Sequence, residues 1–405
     1  MLSRRETGRN CQARAGAKSG SDQGLSAKGR STMSSSPAAT DAAQDPPQDT
    51  PAAPERLECV SDAGFNQWIA ASGGSIACST YQAGKLLLIG WGGQRVSLLP
   101  RTFLKPMGLD VDGDRMVLAS RHAVTLFHND PVLAHDFDAA QPGRFDALYL
   151  PRLSWHMADL SLHDVALADG EVWAVNTLFS CLSTLSEQYS FVPRWRPHFI
   201  SAIAAEDRCH LNGLAMVDGQ PGYVTALGET DHAAGWREHK TSGGILMDVR
   251  SQQVILRGLA MPHSPRWHQG QLYVLNSVAG QLLRVNSANG AHEVICELPG
   301  YLRGLHFHGR HALVGLCRIR ETNEFGGMPV QKRCPELQCG VAVIDLDSGR
   351  QLGMLTATSG CTEIYDLRFL PGLLRVNVLH TEREAAKQAY NAPDLHGWLR
   401  PAPTP

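Results

Sequence analysis

Residues 262–300, PHSPRWHQGQLYVLNSVAGQLLRVNSANGAHEVICELPG, hold the reading on which the fold turns. The run opens with an alternating segment, PHSPRWH, and breaks at Gln269-Gly270. It resumes as QLYVLN, then as QLLRVN, and after a SANG break as HEVICE. Short apolar or alternating runs punctuated by Gly and Asn are the pattern of antiparallel strands joined by hairpins. Gly at the break supplies the positive φ that a tight hairpin demands. Four strands in roughly 40 residues is the size of one propeller blade.

Looser copies of the same unit lie on both sides: PMGLDVDGDRMVLAS (106–120), LHDVALADGEVWAVN (162–176), LNGLAMVDGQPGYVTAL (211–227), LRGLHFHGRHALVGL (302–316) and YDLRFLPGLLRVNVL (365–379). Their turn glycines, Gly113, Gly170, Gly219, Gly270, Gly309 and Gly372, are 57, 49, 51, 39 and 63 residues apart. The excess over a blade falls in insertions near 131–158, 177–209, 228–243 and 318–339. Six units predict an all-β, six-bladed β-propeller; a seven-bladed ring with one unit overlooked is the alternative. Residues 74–103 read as later strands that lack a first one. The YDLRF strand near the C-terminus supplies it, so pairing of N- and C-terminal strands closes the ring and removes open edges. The last unit is expected to run out after two strands, near His380.

The first stretch of chain, 1–56, is basic and then rich in Pro, Ala, Ser and Asp. It has too little apolar surface to offset chain entropy and is expected to be a disordered tail. Its basic, Ser-containing start faintly suggests a transit peptide without an apolar face, and Met33 is a second possible start. The propeller is expected over 57–380. Residues 381–405 are expected to form a short helical and then disordered tail.

Lys+Arg total 37 and Asp+Glu 39. That balance lacks the basic excess of a general nucleic-acid binder, so no nucleic-acid partner is expected. No apolar run reaches about 18 residues, so no membrane partner is expected either. Most of the ten cysteines sit in apolar strand-like runs. Free buried thiols of that kind suit a cytoplasmic protein. Cys334 and Cys339, in the polar segment CPELQC, are the pair placed to bond to each other or to share a metal.

In a propeller the first strand of each blade lines a central channel, and residues at matching distances from the turn share a level. Seven places before each turn glycine stand Pro106, His163, Asn212, His263, Leu302 and Tyr365. Nine places before, on the same face, come Leu104, Ser161, His210, Met261, Gly300 and Glu363. Six places before come Met107, Asp164, Gly213, Ser264, Arg303 and Asp366. His163, His210 and His263 thus arrive from three successive blades, with His210 one step off the level of the others. Three imidazoles around one axis make an open site for a divalent metal such as zinc, with a fourth position for water or substrate. Asp164, Glu363 and Asp366 would orient the ligands or act as base. Tyr365 and Arg303 would stabilise negative charge. A metal-free polar ligand site, or polar side chains that only fill a wet channel, are the plainer readings of the same residues.

Three other segments carry chemistry. GETDHAAGWREHKTSGG (228–244) holds His232, Trp236, Arg237, Glu238 and His239 in a Gly-flanked insertion that reads as a lid or a surface loop. RIRETNEFGGMP (318–329) follows a strand near the channel mouth. SFVPRWRPHF (190–199) stacks aromatics and arginines among prolines, suited to an anionic or peptide partner or to filling a gap between blades.

The segments FNQWIAASGGSIACSTYQAGKLLLIG, LHDVALADGEVWAVNTLFSCLSTL, HLNGLAMVDGQPGYVTALGETD and GGILMDVRSQQVILRGLAMPHSPRWHQGQLYVLNS, with YLRGL, resemble a bacterial family of conserved proteins whose domain is of unknown function. PHSPRWH is the most specific part, and the resemblance spans about 60–380. By architecture and site type, the channel is similar to that of the peptidyl-α-hydroxyglycine amidating lyases, six-bladed propellers with a three-histidine zinc site. That similarity implies His163, His210 and His263 as ligands, Tyr365 as base and Arg303 as electrophilic partner. Two functions therefore stand as expectations. One is a metal-dependent lyase, hydrolase or peptide-modifying enzyme taking a small molecule or peptide at the channel mouth. The other is a non-catalytic propeller that binds a peptide, glycan or protein partner.

Overall fold

The computed structural model describes residues 56–318 and 328–399. Six small antiparallel sheets follow one another, each with its inner strand against the axis. The segment quoted first forms blade 5: Pro262–His268, Gln271–Asn276, Gln281–Val285 and His292–Glu297. Blade 3 (inner strand Leu162–Ala168) and blade 4 (inner strand Leu211–Val217) repeat it. Their first hairpins turn on Asp169-Gly170, Asp218-Gly219 and Gln269-Gly270, all six residues at positive φ. That geometry matches strand twist and explains why Gly recurs there.

Closure is double. Asp366–Pro371, from the end of the chain, is the inner strand of blade 1 and pairs antiparallel with Gly74–Thr80. Glu58–Ser61, from the beginning, adds a fifth, outermost strand to blade 6 along Gln351–Ser359. The expected end of the last unit needs correction. Its second strand, Val376–Val378, leaves blade 1 and pairs in parallel with Ala147–His156 on the outside of blade 2. The tail also differs from expectation in its described part. After a short helix, Glu384–Gln388, a hairpin forms from Ala389–Ala392 and Leu395–Trp398. Asp130 fixes it by accepting from Asn391 at 2.6 Å and pairing with His396 at 2.8 Å, and Trp398 packs on Phe137. Residues 1–55, nearly all of the expected N-terminal tail, lie outside the described residues, as do 319–327 of the 318–329 loop.

Each gap between neighbouring blades holds an apolar cluster. The gap between blades 6 and 1 is also covered by a helix the strand pattern did not announce, Ala63–Ala71. Asp62 caps it, accepting from Phe65 N at 2.7 Å, and its second oxygen accepts from Met354 N at 3.0 Å. The helix lies so close to the sheet that a Cβ on Gly64 would fall 1.9 Å from Leu352 O. Trp267 stacks on Tyr223 of blade 4, filling an inter-blade gap as a large aromatic should.

A polar network binds the inner strands together. Asp366 of blade 1 accepts from Leu109 N of blade 2, Asp110 of blade 2 from Leu167 N of blade 3, and Asp164 of blade 3 from Leu214 N of blade 4, at 2.8–3.2 Å. Two guanidiniums cross among these acids. Arg266 donates to Asp164 at 2.7 Å and reaches Asp366 at 3.4 Å, while Arg368 donates to Asp110 and Asp366 at 2.8 Å. Arg266 also donates to Leu214 O and Leu305 O. All six blades are therefore tied through one buried cluster.

Candidate functional site

The site forms where the chain enters the inner strands of blades 3, 4 and 5. Ser161, His210 and Met261 all sit at left-handed φ, near 50°. At Ser161 and Met261 this turn aims the carbonyl at the imidazole two residues on. His163 Nδ1 lies 2.9 Å from Ser161 O, and His263 Nδ1 lies 2.9 Å from Met261 O. A hydroxyl backs each ring: Thr177 Oγ1 at 2.8 Å from His163 and Ser277 Oγ at 3.0 Å from His263. Thr177 gives its own hydrogen to Leu211 O at 2.6 Å, so it accepts from His163. His210 is held by a carboxylate instead, with Nδ1 2.9 Å from Asp207. Carbonyls and carboxylates only accept, so in all three rings Nδ1 carries a hydrogen, and in His163 and His263, which burial keeps neutral, Nε2 keeps its lone pair.

The rings of His163 and His210 meet edge to face, 4.8 Å apart. Trp236, from the 228–244 insertion, lies 4.5 Å from His210 and donates to the same Asp207 at 3.0 Å. Tyr365 lies 5.6 Å from His163. Arg303 is stacked over the Tyr365 ring at 3.8 Å and paired with Glu363 at 2.8 Å. Tyr81 stacks on the other side, with Lys105 above it. His263 stands against Tyr301, whose hydroxyl is 3.3 Å from Nδ1 and 3.5 Å from Nε2. Among the described residues the buried Tyr365 hydroxyl has no well-aligned hydrogen-bond partner; Arg303 is its polar neighbour, lying over the ring face.

Burial dominates the electrostatics. It pushes His163 and His263 well below the usual imidazole value, and the charge of Arg303 and the neighbouring histidines add to the effect. Both rings are neutral bases. Burial likewise raises Tyr365 and Tyr301, keeping them protonated despite Arg303. Burial disfavours the charge of Arg303, and the Glu363 carboxylate paired with it at 2.8 Å offsets that cost.

A shared ion about 2.1 Å from each Nε2 would place two imidazole centres about 4.5–5.2 Å apart. The ring centres of His163 and His210, 4.8 Å apart, fall within that span. His263 does not complete a preformed cage: among the described residues, no group of three or more His, Cys, Asp or Glu side chains is placed to hold a metal ion. Donor atoms and tautomers fit a divalent metal, and the three-ligand spacing is not in place.

The expected site set divides here. Tyr365, Arg303 and Glu363 join the histidines. Asp164 and Asp366 do not orient them, because both are engaged with Arg266, Arg368 and backbone N–H groups in the inner network. Counting back from the turns misled at this point. Register shifts interrupt the inner strands of blades 3, 4, 5 and 6 at the level concerned, so a two-residue step does not keep a face. His210, expected one step off, reaches His163 because its own backbone is left-handed. Asp207, Thr177, Ser277, Tyr301 and Tyr81 were not foreseen. Trp236 was, as part of the 228–244 loop. The 190–199 motif lies elsewhere, on the outer strand of blade 3, where Arg194, Trp195, Arg196 and His198 line a groove of about 440 Å³. Cys339 makes its thiol contact with Cys361 rather than Cys334, and all the described cysteines are free.

A family model for a domain of unknown function (DUF4915) matches residues 63–379. No curated protein matches the chain. Similar solved structures include a nidogen/laminin complex, with TM-score 0.44 and 10% identity over 74% of this chain and 98% of that one. A protein of unknown function from Bacteroides caccae gives 0.45 and 9% over 73% and 98%. A catalytically inactive virginiamycin B lyase from Staphylococcus aureus with quinupristin gives 0.37 and 8% over 75% and 99%. Likeness at this level carries no statement about activity or partner.

Proposed function

The chain belongs to this DUF4915 family, and from that premise we propose that it is a lyase- or hydrolase-type enzyme acting on a small polar molecule or peptide in a histidine-lined pocket at one mouth of the channel, with a divalent metal as cofactor. One observation carries the reading. Three imidazoles from three blades each have Nδ1 tied to a fixed acceptor, and Nε2 of His163 and His210 has no partner among the described residues, beside a buried phenol that has no well-aligned one.

His163, His210 and His263 would hold the metal through Nε2, with His263 drawn in on binding. The bound ion would supply an acidified water or a polarised carbonyl. Asp207 orients His210 and strengthens its ring as a donor. Tyr365 presents a neutral hydroxyl that binds or protonates a developing oxyanion, and Arg303, fixed by Glu363, supplies the positive field. Trp236 walls the pocket over His210 and excludes water from that side.

The test is the metal content of the full chain after zinc loading and dialysis, compared with His163→Ala, His210→Ala and His263→Ala. The reading expects one ion per chain, lost in the first two variants and weakened at least tenfold in the third. Absence of stoichiometric metal from the folded wild type would contradict it. The spacing of His263 favours a second reading in that event, a metal-free binding module for a peptide, glycan or protein.

A further inference from the structure

Thiols gather where blade 6 meets blade 1. Cys59, Cys78, Cys317 and Cys339 all lie within electrostatic reach of Cys361. Of these, Cys339 and Cys361 are in contact, with Sγ atoms 4.0 Å apart, both side chains buried and the two residues 22 positions apart in the chain. Cys339 immediately precedes the third strand of blade 6, Gly340–Asp345. Cys361 lies in the short connection between the fourth strand of that blade and the closing inner strand Asp366–Pro371. We propose that Cys339 and Cys361 are a redox modification site, converted by a peroxide-class oxidant into a reversible disulfide with Cys361 as the attacking sulfur.

Three observations support the choice of this pair and its polarity. A disulfide needs about 2.05 Å between sulfurs, which two facing thiols at 4.0 Å reach by side-chain rotation and a small shift of the connection. The sulfur environment is asymmetric. Contact with the Cys339 thiol draws Cys361 below the usual thiol value, and the Arg318 charge assists. Arg318 is anchored beside the pair by donating to Ala357 O at 2.7 Å, and Ala357 N donates to Cys339 O at 2.8 Å. The neighbours are poorer candidates. Cys78 and Cys317 are buried and pushed well above the ordinary thiol value; Cys317 donates to Ile364 O at 3.1 Å, as Cys361 does to Glu363 O at 3.3 Å, so burial rather than that bond separates them.

The chemistry balances. The Cys361 thiolate attacks one peroxide oxygen, the O–O bond breaks, and Cys361 sulfenic acid and hydroxide form, the latter taking up a proton to give water. Cys339 then attacks the Cys361 sulfur, the S–O bond breaks, and a second water leaves as the S–S bond forms. Two thiols are oxidised and one hydrogen peroxide is reduced to two waters.

The experiment treats the full chain with hydrogen peroxide, alkylates the remaining thiols under denaturing conditions, and maps tryptic peptides by mass. The peptides 334–350 and 351–368 should be joined, about 2 Da below their sum, and dithiothreitol should part them. Cys334→Ser should keep the link. Cys361→Ser should abolish it, and Cys339→Ser should leave a sulfenic acid at Cys361 that dimedone traps. The wild type gives the same answer without variants, by concerted loss of the two thiols while Cys78 and Cys317 stay alkylatable. Persistence of both thiols, over-oxidation of Cys361 without a link, or a bond from Cys361 to any other cysteine would overturn the proposal.

Discussion

Two polar clusters lie on the inner strands, and they are built on opposite terms. In the inner network Asp110, Asp164 and Asp366 face Arg266 and Arg368, and each acid also takes a backbone N–H from the next blade. In the histidine cluster the supporting bonds are equally well made, yet they stop short of the working atoms. Nδ1 of each ring is engaged, while among the described residues Nε2 of His163 and His210 has no partner and the Tyr365 hydroxyl no well-aligned one. A buried polar group is costly when unpaired, so a cluster that leaves such groups open calls for a ligand, and a closed one does not. The difference teaches that ionisable residues on a channel wall are sorted by what remains unpaired rather than by which residues are present.

The comparison breaks most visibly at Arg368. Arg368→Met removes one guanidinium from a cluster of three acids and strands Asp110 and Asp366 in the interior. A loss of about 3–5 kcal/mol in urea unfolding is expected, the range for one partner removed from a buried pair. Smaller, and sharper in its sign, is the effect of pH. His163, His263 and His306 are held neutral when folded, His306 by burial and by accepting from Phe369 N at 3.2 Å. Their folded pKa values lie below the unfolded value, so the unfolded chain binds more protons as pH falls through about 6.5. Stability should therefore be flat above that pH and decline below it, by at most about 1.4 kcal/mol per pH unit for each ring. Urea unfolding across that range, repeated for His306→Asn, checks the sign; the variant should show a shallower decline.

Much of the ring was legible because one strand–turn–strand unit recurs and its glycines mark each hairpin. Closure followed from counting strands at the two ends. The parallel strand Val376–Val378 and the hairpin after Ala389 were not legible, since their partners lie some 230 and 260 residues away and no local periodicity encodes them. In the site, the histidines stood out as residue types on inner strands. Asp207 did not, because it lies in a long insertion without a strand pattern to place it. Asp164 was assigned to the wrong cluster because a register shift in its inner strand is invisible in the spacing of the turn, and Asp366, on a regularly paired strand, because its guanidinium partners Arg266 and Arg368 are not marked by that spacing. The helix Ala63–Ala71 has an Asp cap that sequence shows, but it precedes 74–103, the first stretch read as strands, and the strand repeat does not reach it.

The most direct test of the open-against-closed account is the stability of Tyr365→Phe. The substitution removes one buried oxygen that has no well-aligned partner among the described residues and keeps the ring under Arg303. Urea unfolding should give a stability equal to the wild type or higher by up to about 1 kcal/mol. A loss of more than about 1 kcal/mol would mean that the hydroxyl is already satisfied within the fold, and would contradict the claim that this cluster is left open for a ligand.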